Sequence, residues 1–178
     1  MKFLKLLIAL LFISFISCKK EEQPKAKAFS KETLKVLKSA RQVIDSAYFA
    51  TVITITKKGE AKARIMEPFK PEKDFSIMLA TNPKTRKIKE LKQNNNMTLH
   101  YFEKNNPAYV TLIGKATIIN DSITKSKYFK KGWEAFYANR TNAYTLIKFT
   151  PKSLEMINIR DGYTGEKEDW KPTIIKFY

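Results

Sequence analysis

The sequence predicts a mainly β domain of the α+β kind, a small antiparallel barrel with flanking helices. Three observations carry this. Short runs rich in β-branched and aromatic residues recur along the 178 residues, Gly, Pro and Asn clusters punctuate them, and only three stretches carry helical spacing. An apolar share of 43% with 12 Phe is enough for a packed core rather than a disordered chain. No internal repeat and no second domain is visible in the sequence.

Ser30 opens the first helix, which runs to about Ala47 with Leu34, Leu37, Val43, Ile44 and Ala47 on its buried face. The pattern then switches to a β-branched strand, Tyr48 to Thr56. Lys57-Lys58-Gly59-Glu60 forms a hairpin turn, with Gly59 supplying the positive φ, and Ala61 to Glu67 returns antiparallel. Pro68 and Pro71 end that strand. Phe75 to Ala80 reads as a buried strand, and a short helix follows over Ile88-Lys89-Glu90-Leu91-Lys92 until Asn94-Asn95-Asn96 stops it. Met97 to Glu103 and Tyr109 to Ile119 are the next strands, joined by Lys104-Asn105-Asn106-Pro107. Asp121 caps a longer helix that takes in Tyr128, Phe129, Trp133, Phe136 and Tyr137, aromatics assigned to packing between helix and barrel. Tyr144 to Phe149 and Leu154 to Ile159 close the barrel around a Thr150-Pro151-Lys152 turn. In the tail beyond Asp161, only Thr173 to Phe177 is strand-like.

Ahead of this domain, residues 1–17 read as a signal peptide: Lys2 and Lys5 flank an apolar stretch, Leu6 to Ile16, too short to span a bilayer. Cys18, the only cysteine, follows Ser17 directly. It cannot form an internal disulfide. A small residue followed by Cys behind an apolar core resembles the lipobox of bacterial lipoproteins, which implies cleavage before Cys18 and acylation of its sulfur; the alternative is a plain signal peptide with an incidental Cys. Acyl chains contribute about 0.8 kcal/mol per buried methylene, and two give stable anchoring. Residues 18–29 would then be the lipidated Cys and a polar tether, and 30–178 the folded domain. The expected location is the cell envelope, on its periplasmic side or at the outer surface, where the Lys20-Glu21-Glu22 run resembles a lipoprotein sorting signal.

Against 17 Asp and Glu stand 34 Lys and Arg, a formal charge of +17. Nearly all of it is Lys, spread along the chain; Arg occurs only at Arg41, Arg64, Arg86, Arg140 and Arg160. Readers of nucleic acid lean on Arg for bidentate contacts, so nucleic acid is not an expected partner and the charge is chiefly a surface feature. With one His and one Cys, a Cys-His pair, a Ser-His-Asp triad and a His/Cys zinc site are all excluded. His100 lies mid-strand, where an imidazole is usually structural.

Thr81-Asn82-Pro83-Lys84-Thr85-Arg86-Lys87 is the most informative stretch. A buried strand empties into a turn with two hydroxyls and three cations, and the turn opens a helix. Helix N-termini present unpaired N–H groups and the positive end of the dipole, which suits a phosphate. Arg86 offers a bidentate fork, Lys84 or Lys87 a point charge, and Thr81 or Thr85 a hydroxyl. A solvated basic turn is the other reading of the same residues.

Four places, in order and spacing, resemble the flavin-binding split-barrel family that includes the pyridoxamine 5′-phosphate oxidases, and most closely its general stress protein branch. They are Ala50-Thr51-Val52 through Gly59, Arg64-Ile65-Met66, Thr81-Asn82 with Thr85-Arg86-Lys87, and Tyr109-Val110-Thr111-Leu112-Ile113-Gly114-Lys115-Ala116. The resemblance implies a split β-barrel and an FMN-binding homodimer with the cofactor at the subunit interface. It implies that Arg64, Arg86 and Lys87, helped by Thr81 and Thr85, hold the FMN phosphate, and that Ile65 and Met66 lie near the isoalloxazine. For Arg64 the alternative is a strand Arg paired with a carboxylate. The vitamin-synthesising members place Gln where Tyr109 stands and carry an Arg-x-His pair near the C-terminus, absent here, so pyridoxamine phosphate oxidation itself is not expected.

Three functions follow from this reading. The first is a flavin-dependent oxidoreductase tethered to the envelope, in which the flavin carries the chemistry and the protein binds and orients it. The second is a non-catalytic module for flavin, haem or another phosphorylated ligand, since fold alone does not choose. The third is a basic surface protein that binds polyanions.

Overall fold

The computed structural model describes residues 29–139 and 141–178. The expected signal segment, Cys18 and the polar stretch to residue 28 lie outside the described residues. The fold is one antiparallel sheet of seven strands with the helices around it: α1 Lys31–Ala47, β1 Ala50–Ile55, β2 Ala61–Met66, β3 Ile77–Thr81, α2 Arg86–Gln93, β4 Asn96–Glu103, β5 Ala108–Ile119, α3 Ser122–Lys127, β6 Thr145–Asn158 and β7 Thr173–Lys176. Strand order is β2-β1-β4-β5-β6-β3, with β7 also paired to β6.

β6 makes the architecture. One of its edges pairs with β5 over nearly its whole length. The other edge forks: Thr145 to Phe149 pair with β3, and Ser153 to Met156 pair with β7. The sheet curls around its core without closing, which is the split-barrel form expected. The sequence reading placed a turn at Thr150-Pro151-Lys152, and the structure corrects this: β6 runs straight through. Pro151 lacks an N–H, and it sits at the fork between the two partner strands. Opposite it the register shifts between Ile113 and Gly114, a bulge that bends the strands. Gly114 is required there, because an added Cβ would lie 2.2 Å from the Thr150 carbonyl oxygen and 2.8 Å from Pro151 Cα.

α1 packs across β4 and β5. Ser30 Oγ accepts the Thr33 N–H at 3.1 Å, the expected N-cap. Its buried face is Val36, Leu37, Ala40, Val43 and Ile44, while Leu34 is exposed; the apolar stripe is rotated by part of a turn from the one the spacing suggested. The fully buried Leu99, Val110, Leu112, Phe149 and Leu154 meet this face in the main core, each large side chain contributing about 1.5–3 kcal/mol. A second, smaller cluster centres on Met78, Ala80, Tyr144 and Leu146, with Phe69, Tyr128, Phe129, Trp133 and Tyr137 packed against it. Of the aromatics expected on a helix, Tyr128, Phe129, Trp133 and Tyr137 do pack, but mostly from a loop, whereas Phe136 is exposed. Asp121 caps α3 as expected, yet the helix ends at Lys127, and Gly132, at φ 90°, interrupts any continuation before a short 3₁₀ turn at Trp133–Ala135.

Candidate functional site

β3 is buried along its whole length, so it delivers Thr81 to a fixed place at the barrel's end. The chain then folds on itself. Asn82 Oδ1 accepts the Lys84 N–H at 2.9 Å, and the Asn82 carbonyl accepts both the Thr85 N–H (3.1 Å) and the Thr85 hydroxyl (2.9 Å). Thr85 therefore occupies the N-cap of α2 with its hydroxyl turned away, giving no side-chain cap to the helix. No acidic residue lies in the first turn, and Arg86 and Lys87 do. Cations at a helix N-terminus are unfavourable by about 0.3–1 kcal/mol each, and an anion there reverses the sign. Negative charge is electrostatically favoured at such a helix start.

Of the other predicted residues, Arg64 and Lys87 converge on it. Lys87 Nζ donates to Thr81 Oγ1 at 2.9 Å, and the hydroxyl oxygens of Thr81 and Thr85 lie 3.4 Å apart. Burial lowers the Lys87 pKa and the nearby Arg64 charge lowers it further, with Glu90 opposing. Arg64 reaches from β2 across β1, donating to Thr54 Oγ1 (2.5 Å) and to Glu90 Oε2 (2.9 Å). Thr54 also donates to Glu90 Oε2. Arg86 Nε lies 3.0 Å from Glu90 Oε1, off the hydrogen-bonding direction, so that this buried oxygen receives no hydrogen bond among the described residues. Burial pushes the Glu90 carboxyl up, but hydrogen bonds from Thr54 and Arg64 and the charges of Arg64 and Arg86 outweigh it and hold it below the usual carboxylate range. Arg64 is thus paired with a carboxylate, as its alternative reading had it, and belongs to the cation cluster at the same time.

Ile65, Met66 and Tyr109 are not part of this cluster within one chain. Ile65 is 66% exposed on the outer face of the sheet. Met66 is half-buried against the main core. Tyr109 lies on the outer face of β5, its ring 5.5 Å from that of His100; burial and the Glu155 charge raise its pKa. His100 accepts from or donates to Thr111 Oγ1 at 2.9 Å, and burial lowers its pKa.

Two participants were missed from sequence, Glu90 and Thr54. The Arg86–Glu90 spacing of four on a helix was a readable signal. Nothing local marks Thr54, which is brought in by the pairing of β1 with β2. Away from the cluster, Glu67 accepts from Lys130 and from Tyr48 Oη (2.8 Å) beside a cavity of about 270 Å³ under the end of α1. Among the described residues no group of three or more His, Cys, Asp and Glu could hold a metal ion, and no helix is long and apolar enough to cross a membrane.

A forked antiparallel barrel with flanking helices defines the class: this is a split-barrel protein. The chain belongs to the pyridoxamine 5′-phosphate oxidase like family, whose model matches residues 35–165. It is similar to a Clostridium acetobutylicum protein related to general stress protein 26 of B. subtilis, of the pyridoxinephosphate oxidase family, at 23% identity, covering 80% of this chain and 94% of that one with a TM-score of 0.65. It is also similar to a pyridoxamine 5′-phosphate oxidase-related, FMN binding protein from Nostoc punctiforme (12% identity, 85% and 98% covered, TM-score 0.58). A third similar structure is a heme binding protein from Mycobacterium smegmatis (13% identity, 77% and 56% covered, TM-score 0.57). At these identities the structures speak for the fold alone. No curated protein matches the chain significantly.

Proposed function

We propose that this protein binds FMN and acts as a flavin-dependent oxidoreductase. The observation that carries the proposal is the convergence of Arg64, Arg86 and Lys87 with the hydroxyls of Thr81 and Thr85 at an uncapped helix start. The donor set fits a phosphate monoester. Charge-assisted hydrogen bonds of this kind contribute about 1.5–3 kcal/mol each, so the phosphate would anchor the cofactor. When bound, the flavin supplies the capacity to accept hydride or single electrons. The chain's own work is to hold the phosphate and to exclude water around the ring system.

The family membership and the FMN-binding neighbour support this reading. We further place the site at the interface of a homodimer. One cross-strand row on the outer face of the sheet runs Ile65, Thr51, His100, Thr111, Glu155, Ile174, with Phe102 and Ile113 exposed beside it. A broad, half-apolar sheet face of this kind suits self-association. Tyr109 lies on it, so a second copy would bring its phenol to the cofactor. Ile65 and Met66 would lie along the flavin ring. Cys18, lipidated, would hold the dimer at the envelope.

A second reading, a non-catalytic carrier or sensor of flavin or haem, is supported by the haem-binding neighbour. Reduction separates the two. Protein loaded with FMN and mixed anaerobically with NADH, NADPH or reduced deazaflavin should lose its visible flavin absorbance. Loaded protein that stays oxidised with every donor would favour the carrier.

A further inference from the structure

A buried carboxylate at the centre of an anion site needs a reason. The Glu90 side chain is only 6% exposed, and three groups converge on it: Thr54, Arg64 and Arg86. Its two oxygens are treated differently. Oε2 accepts from both Thr54 and Arg64, and the Arg64 side chain that donates to it is 19% exposed. Oε1 has Arg86 alone, 3.0 Å away without hydrogen-bond alignment, and the Arg86 side chain is 69% exposed. One arginine is locked and the other is loosely parked.

We propose that Glu90 is the resident counter-anion of the phosphate site, fixing Arg64 through Oε2 and exchanging Arg86 from Oε1 to an incoming phosphate monoester. This rests on the phosphate reading of the same cluster. Charge bookkeeping gives it a specificity role as well. Arg64, Arg86 and Lys87 against Glu90 leave two net positive charges, matched to a dianionic monoester. Glu90 keeps three cations together before the ligand arrives, which would otherwise repel one another in a half-buried place. It also makes the ligand compete for Arg86, so it weakens phosphate binding while organising it.

The test compares wild type with Glu90→Gln in the full chain, titrated with FMN and with riboflavin, which shares the ring but lacks the phosphate. Gln retains an acceptor for Thr54 and Arg64 and removes the charge. FMN binding should tighten by about tenfold in the variant, with riboflavin binding unchanged. A merely structural Glu90 predicts the reverse: FMN binding weakened by a displaced Arg64, or both ligands weakened together. Either of these results, or an unchanged FMN affinity, overturns the proposal. Wild-type protein gives an independent check should the variant fold poorly. On adding FMN, the side-chain Nε–H resonance of Arg86 should shift while that of Arg64 stays; movement of Arg64 without Arg86 contradicts the assigned roles. If FMN binds neither protein, the flavin reading falls separately, and the melting temperature in inorganic phosphate becomes the probe. A larger phosphate-induced rise in Glu90→Gln than in wild type upholds the counter-anion. An equal rise, or none in either, removes it.

Discussion

At the scale of single residues, the site is an exercise in placing like charges close together. Lys87 spends its ammonium on Thr81, Arg64 is neutralised by Glu90, and Arg86 stands exposed at the rim. Titration follows from this arrangement. The Glu90 carboxyl is held below its ordinary pKa of 4.5, so the native state binds its proton less readily than the unfolded chain. The stabilisation is complete above the ordinary carboxylate range and drains away as pH falls through the depressed value. Acid unfolding followed by circular dichroism should show this limb in wild type and a flatter one in Glu90→Gln; superimposable profiles would mean the pair contributes nothing. Lys87 behaves in the opposite sense. Its pKa is lowered from 10.5 by burial first and by Arg64 second, and a bound phosphate favours its charged form. FMN affinity should decline with rising pH before an ordinary lysine would titrate, and Lys87→Arg should remove the decline in a fluorescence titration.

Elements show where sequence patterns mislead and where they hold. The β1–β2 hairpin was legible because a β-branched run meets a Gly turn, and it forms with Thr56 N–H to the Glu60 carbonyl at 2.9 Å and Gly59 at φ 85°. The turn from Thr81 to Lys87 was legible as a strand-to-helix junction because its residue types and its setting are both local. Thr150-Pro151-Lys152 was read as a turn from composition, but Pro151 falls where β6 changes partners and needs no N–H. Aromatics at helix-like spacing after Asp121 suggested a long helix; Gly132 and the pull of the Tyr144 cluster hold them in a loop instead. Glu90 and Thr54 escaped notice because their meeting depends on α2 lying over β1, a tertiary fact. The bulge gives the sharpest prediction at this scale. Gly114→Ala should destabilise the fold by about 1–3 kcal/mol or more through forced overpacking, measured by urea denaturation. A variant as stable as wild type would mean that the fork of β6 is more pliant than the close approach to Thr150 implies.

Over the whole molecule, the core and the cation cluster share the inner side of one sheet, Thr54 lying on the same side of β1 as the core residue Val52. The inner face of β4, β5 and β6 builds the packed interior under α1, leaving the outer face to carry Ile65, Phe102, Ile113 and Ile174 into solvent. The proposed homodimer would cover them and bury Tyr109 against a second copy. Ile113 sits near the middle of that face, so Ile113→Lys should convert a dimer to monomer in sedimentation velocity and weaken FMN binding with it. A dimer that survives the substitution would place the interface elsewhere.

The central claim is that the turn from Thr81 to Lys87 holds a flavin by its phosphate. The most direct measurement is an FMN titration of wild type beside the Arg86→Ala, Lys87→Ala double variant, each passed over gel filtration and its visible spectrum recorded. Wild type should retain flavin with absorbance shifted from the free cofactor, and the double variant should lose it, with affinity down by a hundredfold or more, on the order of two charge-assisted hydrogen bonds. Equal retention by both proteins, or retention by neither, would contradict the account.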